Sequence, residues 1–113
     1  MVQIKRVYDP SSRRDGVRIL VERLWPRGIT KQRASLDLWM KEVAPSPELR
    51  RWFNHDPVRW IQFKRRYWKE LQDHPEAVEA LKSRGREETV TLVYAARDEQ
   101  HNGALALKEF LER

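Results

Sequence analysis

Three short segments between residues 46 and 75 each place a proline in the first turn of a predicted helix. Ser46-Pro47-Glu48 combines an N-cap serine, a first-turn proline and an acid that complements the helix dipole. Asp56-Pro57 and Asp73-His74-Pro75 repeat this arrangement, and Gly85 is predicted to cap the last helix. Residues 46–85 are therefore expected to form three consecutive helices, which end near residues 53, 72 and 85.

The segment that follows these helices, Thr89–Ala95, is almost continuously apolar, which is typical of a strand buried on both faces. Two earlier strands are predicted at Gln3–Tyr8 and Val17–Leu24, and the second alternates, with Arg18 and Glu22 on its polar side. We expect these two strands to pair as a hairpin with a long loop. The helical crossover allows the last strand to lie parallel to an early one.

The remaining segments complete an α/β pattern. A final helix is predicted over residues 102–112, and between residues 29 and 43 Thr30 can cap a short helix that precedes an extended stretch. The expected fold is a small, layered α/β fold, in which a few-stranded mixed sheet carries packed helices. A single domain over residues 1–113 is expected from the length.

The absence of cysteine excludes disulfides, thiolate metal sites and thiol nucleophiles. No apolar run resembles a signal peptide or a membrane span, so a cytoplasmic protein without membrane contacts is expected. Lys and Arg number 23 against 17 Asp and Glu, which gives a formal net charge of +6. This excess favours anionic partners, and a merely solvated basic surface is the alternative.

The loop over residues 94–103 is the first candidate binding site, because it joins the carboxyl end of a buried strand to the start of a helix. In open α/β sheets ligands bind in that position, and helix N-terminal N–H groups favour an anion there. The alternative is an ordinary loop in which Asp98 or Asn102 caps the helix. The candidate ligand-binding residues are Tyr94, Arg97, Asp98, His101 and Asn102.

The string from Arg23 to Gly28 is the second candidate. Arg23 and Arg27 can converge on one anion, with Trp25 as a stacking wall. Alternatively, Trp25 fills the core and Arg27 covers its ring. If the strand before this string neighbours the last strand, the two loops form one pocket for a phosphorylated or carboxylated small molecule.

Because no convincing nucleophile is present, simple binding is as well supported as catalysis. His101 and His55 are the only candidates for proton transfer, and Asp56 beside His55 is already explained as a helix cap. The spacing of the histidines and the absence of an acidic cluster give no metal site. There is no glycine-rich phosphate loop or serine-hydrolase motif, and no cofactor is expected. Whether the protein is an enzyme stays open at this point.

The predicted helix over residues 57–72 suggests a second class of function. Trp60, Phe63, Tyr67, Trp68 and Leu71 form an apolar face that predicts core packing. Together with the basic amino-terminal half of the chain, the opposite side of this helix could hold a nucleic-acid backbone, or could simply be solvated. Its basic residues are Arg59, Arg65, Arg66 and Lys69.

Several strings of this sequence resemble one family over essentially the whole chain. They are the Val-Tyr-Asp-Pro string at residues 7–10, Arg-Leu-Trp-Pro-Arg-Gly at 23–28, Leu-Trp-Met-Lys-Glu-Val-Ala-Pro-Ser at 38–46, His-Asp-Pro at 55–57, Arg-Tyr at 66–67, and residues 93–102. The chain is similar to the YeaO-like proteins, the short branch of the family with domain of unknown function 488. This resemblance implies a small cytosolic α/β protein and supplies no reaction, substrate, cofactor or catalytic residue.

Overall fold

The computed structural model describes residues 1–113, in which four strands form one parallel sheet in the order β1-β4-β2-β3. The central strand β4 pairs with β1 on one side and with β2 on the other, so that Leu92 lies opposite both Ile4 and Ile19. The strands are β1 (Val2–Arg6), β2 (Val17–Leu20), β3 (Leu38–Trp39) and β4 (Val90–Tyr94).

The α/β class is confirmed, but the predicted hairpin of the first two strands and the mixed character of the sheet are wrong. Strand β4 lies between β1 and β2, and every strand pair is parallel. All five residues of β4 are buried. An antiparallel hairpin would have displaced this apolar strand to an edge, whereas the central position covers it on both sides and both faces.

Three helices begin at the caps that the sequence predicts, whereas the helix predicted from Asp56-Pro57 starts as a 3₁₀ turn and becomes α-helical only at Trp60. Ser46 accepts from Leu49 N at the start of α2, Thr30 accepts from Arg33 N at the start of α1, and Asn102 caps the last helix. The helices are α1 (Lys31–Ala34), α2 (Pro47–Phe53), α3 (Trp60–Leu71), α4 (Pro75–Glu87) and α5 (Gly103–Leu111), and single 3₁₀ turns lie at Arg13–Asp15, Lys41–Val43 and Pro57–Arg59.

Gly85 does not cap α4, contrary to the prediction. The helix continues through this residue to Glu87. A Cβ atom on Gly85 would lie 2.7 Å from a methyl carbon of Val2 on β1. Glycine is therefore needed here for the close approach of helix and strand, and not for a left-handed backbone.

Two cores of unequal size cover the sheet. On the first face α2, α3, α4 and α5 bury a cluster of 17 residues that includes Ile19, Leu92 and Tyr94. On the second face a cluster of five joins Leu20 and Val93 to Ala34 of α1. No helix is both long and apolar enough to cross a membrane.

Candidate functional site

The carboxyl ends of β2 and β4 lie side by side, as the two-loop hypothesis required. Their register pairs Leu20 with Val93 at the end of the ladder. After β2 the chain goes to α1 on the second face, whereas after β4 it goes to α5 on the first face. Adjacent strands whose connections leave to opposite faces form the switch-point crevice in which α/β sheets bind ligands.

The loop after β4 is organised around Asp98. Its carboxylate accepts hydrogen bonds from Gln100 N at 2.8 Å and His101 N at 3.1 Å, and lies 2.9 Å from His101 Nδ1. The bonds from the His101 ring and from Gln100 N hold the pKa of Asp98 below its usual value. Asn102, which is buried, donates to the Asp98 carbonyl and caps α5 through Leu105 N. Asp98 and Asn102 therefore fix the shape of the loop.

His101 and Tyr94 both contact other parts of this end of the sheet. The His101 ring packs edge-on against Trp60 of α3, with ring centroids 5.4 Å apart. Tyr94 is 2% exposed, and burial together with the Glu99 carboxylate raises its pKa. Arg97 is exposed and forms no ion pair or side-chain hydrogen bond within the chain. Of the five residues predicted in this loop, Arg97 alone has a fully free charged group.

The side chains of the Arg23–Gly28 string differ in their surroundings. Arg23 and Trp25 are hydrogen-bonded within the protein, whereas Arg27 is exposed. Arg23 donates to the carbonyls of Pro45 at 2.9 Å and Ala44 at 3.2 Å, which anchors the chain ahead of α2. Trp25 donates to Ile29 O at 2.7 Å and packs edge-on against Trp39.

Arg27 is exposed, and only its carbonyl is bonded, to the Tyr8 hydroxyl at 2.8 Å. No hydrogen bond or shared partner joins Arg23, Arg27 and Arg97. Arg27 and Arg97 keep free guanidinium groups at the edge formed by the carboxyl ends of the strands.

Glu22, which the sequence interpretation assigned to the polar side of β2, is the residue that connects the two loops. Its carboxylate accepts from Ala95 N at 3.2 Å and lies 3.8 Å from the Arg50 guanidinium. Its carbonyl accepts from Trp39 Nε1 at 2.6 Å. Burial raises the pKa of Glu22, which Arg50, Ala95 N and His55 oppose. An acid near the carboxyl end of the predicted strand Val17–Leu24, directly before the Arg23–Gly28 string, was the available signal.

His55 has no orienting acid. It is exposed with a left-handed backbone, φ 53°, and the neighbouring Asp56 accepts from Val58 N at 3.0 Å and lies 3.8 Å from Arg59. Asp56 is thus a helix cap, as expected, and His55 and His101 make no contact with one another. A shared proton-transfer pair is not present.

Two cavities are lined mainly by other parts of the chain, and Arg23 is the one residue of the two predicted loops that lines either of them. One, of about 160 Å³, lies between the start of α2 and the end of α3, where Glu70 accepts from the N–H and hydroxyl of Ser46. Arg23 reaches its wall. The other, of about 300 Å³, lies beside Val2 and Gly85 at the opposite end of the sheet. No group of three or more His, Asp or Glu side chains is arranged to hold a metal ion.

The four basic residues predicted on α3 and the turn before it, Arg59, Arg65, Arg66 and Lys69, are all exposed and are called here the basic helix face. The guanidinium carbons of Arg59 and Arg66 lie 5.3 Å and 4.1 Å from the centroid of the Trp52 ring. Arg65, Arg66 and Lys69 form no ion pair, whereas Arg59 contacts Asp56. Phe63, Tyr67 and Leu71 on the opposite side are buried, as the apolar pattern predicted.

Comparison with known proteins gives one consistent group of relatives. The family model DUF488-N3i, described as the inactive DUF488-N3 subclade, matches residues 1–113. The uncharacterized protein YeaO of Escherichia coli is 44% identical over 110 residues, which cover 97% of this chain and 96% of YeaO. The uncharacterized proteins Mb3100c of Mycobacterium bovis and Rv3073c of Mycobacterium tuberculosis are 42% identical over 97% of this chain and 92% of their own length. No solved structure gives a significant match. With a match over its full length and such identity to YeaO, the chain belongs to the DUF488 family, as a YeaO-like protein of the DUF488-N3i subclade.

Proposed function

We propose that this protein binds nucleic-acid backbones through the basic helix face and does not turn over a substrate. The observation that carries the proposal is the concentration of charge. Residues 50–69 contain seven Lys and Arg and a single acid, Asp56, so their net charge of +6 equals that of the whole chain. Four of the seven cations form the basic helix face, whereas Lys64 pairs with Glu109 and Arg50 with Glu22. An exposed basic face of this kind is the electrostatic signature of polyanion binding.

The dimensions of the basic helix face suit a phosphate backbone. Arg59 and Lys69 are ten residues apart along the chain, which corresponds to about 15 Å along a helix axis. Phosphates on one strand of a duplex advance by about 3.4 Å each along the axis, so the face spans about four of them. Trp52, which lies against Arg59 and Arg66, holds both guanidinium groups in place before a ligand arrives.

Binding without turnover agrees with the chemistry available. The chain has no cysteine, its two candidate histidines share no orienting network, and no metal cluster is present. The description of the matching subclade as inactive supports the same conclusion.

Replacing Arg65 and Lys69 together by glutamine is expected to weaken binding to a DNA or RNA duplex of about 20 base pairs. The slope of log affinity against log salt, between about 50 and 200 mM, should fall by about two, since each lost phosphate contact removes roughly one counterion. Fluorescence anisotropy of a labelled duplex measures both quantities.

The matched control is Arg13→Gln/Arg14→Gln, which removes the same charge from the exposed turn that precedes β2. This control should bind almost as the unaltered protein does. If affinity, and the slope of log affinity against log salt, fall equally in both double variants, only the overall charge matters. The basic helix face is then not a binding site.

A small-anion site in the switch-point crevice is the second candidate function. It is favoured by the free guanidinium of Arg97 in the loop between β4 and α5, with Arg27 following β2 at the same edge of the sheet. The ligand class is a phosphorylated or carboxylated small molecule held by the loops at residues 23–28 and 94–103. Arg23 would contribute through loop shape, because its donors are already bonded to carbonyls.

For this second site, a thermal-shift screen with phosphate esters, nucleotides and carboxylates should find one class that stabilises the protein at both low and high salt. A ligand near 100 times its Kd adds about 2.7 kcal/mol. Arg97→Gln should abolish the shift, while Arg14→Gln should retain it. A panel without any salt-resistant shift, or a shift unchanged in Arg97→Gln, would reject the crevice as an anion site.

A further inference from the structure

Three uncharged side chains at the start of α3 are exposed, and neither candidate function uses them. Val58, in the 3₁₀ turn that precedes the helix, is 91% exposed, and Ile61 is 56% exposed. Gln62 is exposed as well, and its amide forms no hydrogen bond within the chain. These three residues are called here the uncharged turn. Two aliphatic side chains with this exposure contribute little to the packing of the fold, which leaves them free to contact another molecule.

The uncharged turn lies on the outer side of α3. Since an α-helix has 3.6 residues per turn, Ile61, Gln62 and Arg65 project from the side opposite to the buried one. The burial agrees with this geometry, because these three side chains are exposed whereas the opposite side is buried. The buried residues are Phe63, Tyr67 and Leu71.

Contacts with neighbouring helices occupy the two flanks of this outer side. On one flank the guanidinium carbon of Arg66 lies 4.1 Å from the centroid of the Trp52 ring of α2. On the other flank Lys64 Nζ lies 3.0 Å from the Glu109 carboxylate of α5. The side chains between the two flanks are exposed, so this side of the helix is open to a ligand.

This arrangement suits the major groove of B-form DNA. A helix that enters this groove places its N-terminal residues at the base edges, while cations around them bind the phosphates. The uncharged turn lies at the N-terminal end of α3, and the basic helix face extends along one flank and towards the C-terminal end. The groove is about 12 Å wide, which admits one α-helix. The major groove of an RNA duplex is too deep and narrow for side chains to read.

The uncharged turn also has the chemistry that recognises A·T pairs. A glutamine amide donates one hydrogen bond and accepts another, which matches N7 and the N6 amino group of adenine. An aliphatic side chain packs against the 5-methyl group of thymine. Neither contact involves a charge, so both change the preference among sequences and leave the binding common to all sequences to the cations.

We propose that α3 reads DNA sequence in the major groove, with Gln62 at an adenine and with Val58 and Ile61 against thymine methyl groups. The ligand is then B-form DNA with a preferred site that contains A·T pairs. The basic helix face supplies the phosphate contacts that hold the helix in the groove, so this inference rests on the proposed function.

Selection from a pool of duplexes with about 20 random base pairs, followed by sequencing of the bound fraction, tests the choice of sequence. We expect a preferred motif of about three to five base pairs that contains A·T pairs. Gln62→Ala should reduce the ratio of the affinity for the selected duplex to that for a scrambled duplex by about tenfold. Its affinity for the scrambled duplex, and the slope of log affinity against log salt, should not change, because no charge is removed. The control Gln32→Ala alters an exposed glutamine on α1 and should retain the preference.

Deoxyuridine in place of thymine removes only the methyl group and tests the aliphatic contact. With thymine replaced in the selected motif, the unaltered protein should bind about threefold to tenfold more weakly. Val58→Ala/Ile61→Ala should bind the two duplexes equally, because its contact with the methyl group is already lost. Both side chains are exposed and alanine favours a helix, so the fold should be retained. The control Leu24→Ala, at a residue that is 72% exposed, should distinguish the two duplexes as the unaltered protein does.

Four outcomes would overturn the reading of sequence by α3, and they differ in what they imply for the proposed function. Equal affinity for all duplexes, weakened in Arg65→Gln/Lys69→Gln, would leave the proposed function standing. No binding to any duplex would overturn both. A preference that survives in Gln62→Ala and in Val58→Ala/Ile61→Ala would mean that another element reads the sequence. Tighter binding to an RNA duplex than to DNA of the same sequence would mean that α3 does not lie in a major groove.

Discussion

Replacing Gly16 by alanine is expected to lower the free energy of unfolding by about 3–5 kcal/mol. Gly16 precedes β2 with φ 62° and ψ −132°, a conformation that side-chain-bearing residues rarely adopt. A Cβ atom there would lie 2.9 Å from the carbonyl carbon of Thr89. That carbonyl cannot withdraw without loss, because it accepts from Val17 N at 2.9 Å beside the first β2–β4 pair. A melting temperature lower by roughly 10 °C or more should be measured calorimetrically.

Gly28→Ala provides the matched control for this prediction. Gly28 also has a positive φ, 75°, but no atom lies within 4 Å of an added Cβ. Its replacement should cost only the backbone strain, about 1–2 kcal/mol. The difference in the free energy of unfolding between the two variants therefore measures what the close contact with Thr89 costs. Equal melting temperatures would show that the strand pairing can shift to make room, contrary to the structure.

The helices could be predicted because their start signals are local. Ser46, Thr30 and Asn102 each bond to a backbone N–H three residues ahead, so the residue types alone carry the information. Gly85 was misinterpreted because its reason is distant: it contacts Val2, which is far away in the sequence. A glycine near the end of a helical pattern looks the same in both situations.

The sheet could be predicted only in part, since pairing depends on which apolar surfaces must be covered. The buried character of β4 was clear from its composition, but its position between β1 and β2 follows from the packing of the whole fold. The alternation in β2 was real, yet Arg18, placed on its polar side, is only 3% exposed. Alternation distinguishes the two faces of a strand; it does not show whether a loop covers the polar one.

The candidate site shows the same division between local and distant causes. The two loops lie side by side because β2 pairs with β4, and the sequence interpretation had stated that pairing only as a condition. The roles of Arg23 and Glu22 were not predicted, because they depend on Pro45 and Ala95 backbone groups from remote segments. A free arginine such as Arg97 and an anchored one such as Arg23 cannot be distinguished by residue type.

The second large effect is expected on the covered polar side of β2, where Asp15 and Arg18 form a buried ion pair. Arg18 Nη1 lies 2.7 Å from Asp15 Oδ2, and the same guanidinium donates to the carbonyls of Ala34 and Ser35. Lys5 contacts the other oxygen of Asp15 at 3.0 Å. Arg18→Met and Asp15→Asn should each lower the free energy of unfolding by about 3–5 kcal/mol, because each leaves buried polar groups without their partner.

The double variant and the pH dependence separate this ion pair from simple packing. Asp15→Asn/Arg18→Met removes both charges, so its cost should be smaller than the sum of the single costs by about 1–3 kcal/mol in urea unfolding.

Burial favours the neutral form of Asp15, but hydrogen bonds from Lys5, Ser12 N and Arg18 outweigh it and lower its pKa below the ordinary 3.8. Because the pKa of Asp15 is lower in the folded state, its ionised carboxylate stabilises the protein fully above pH 3.8. This stabilisation is lost as the pH falls through the lowered pKa. The free energy of unfolding of the unaltered protein should therefore exceed that of Asp15→Asn most near neutral pH. This difference should shrink on acidification below about pH 4. Additive costs, or a pH-independent difference, would mean that Asp15 and Arg18 are not coupled through their charges.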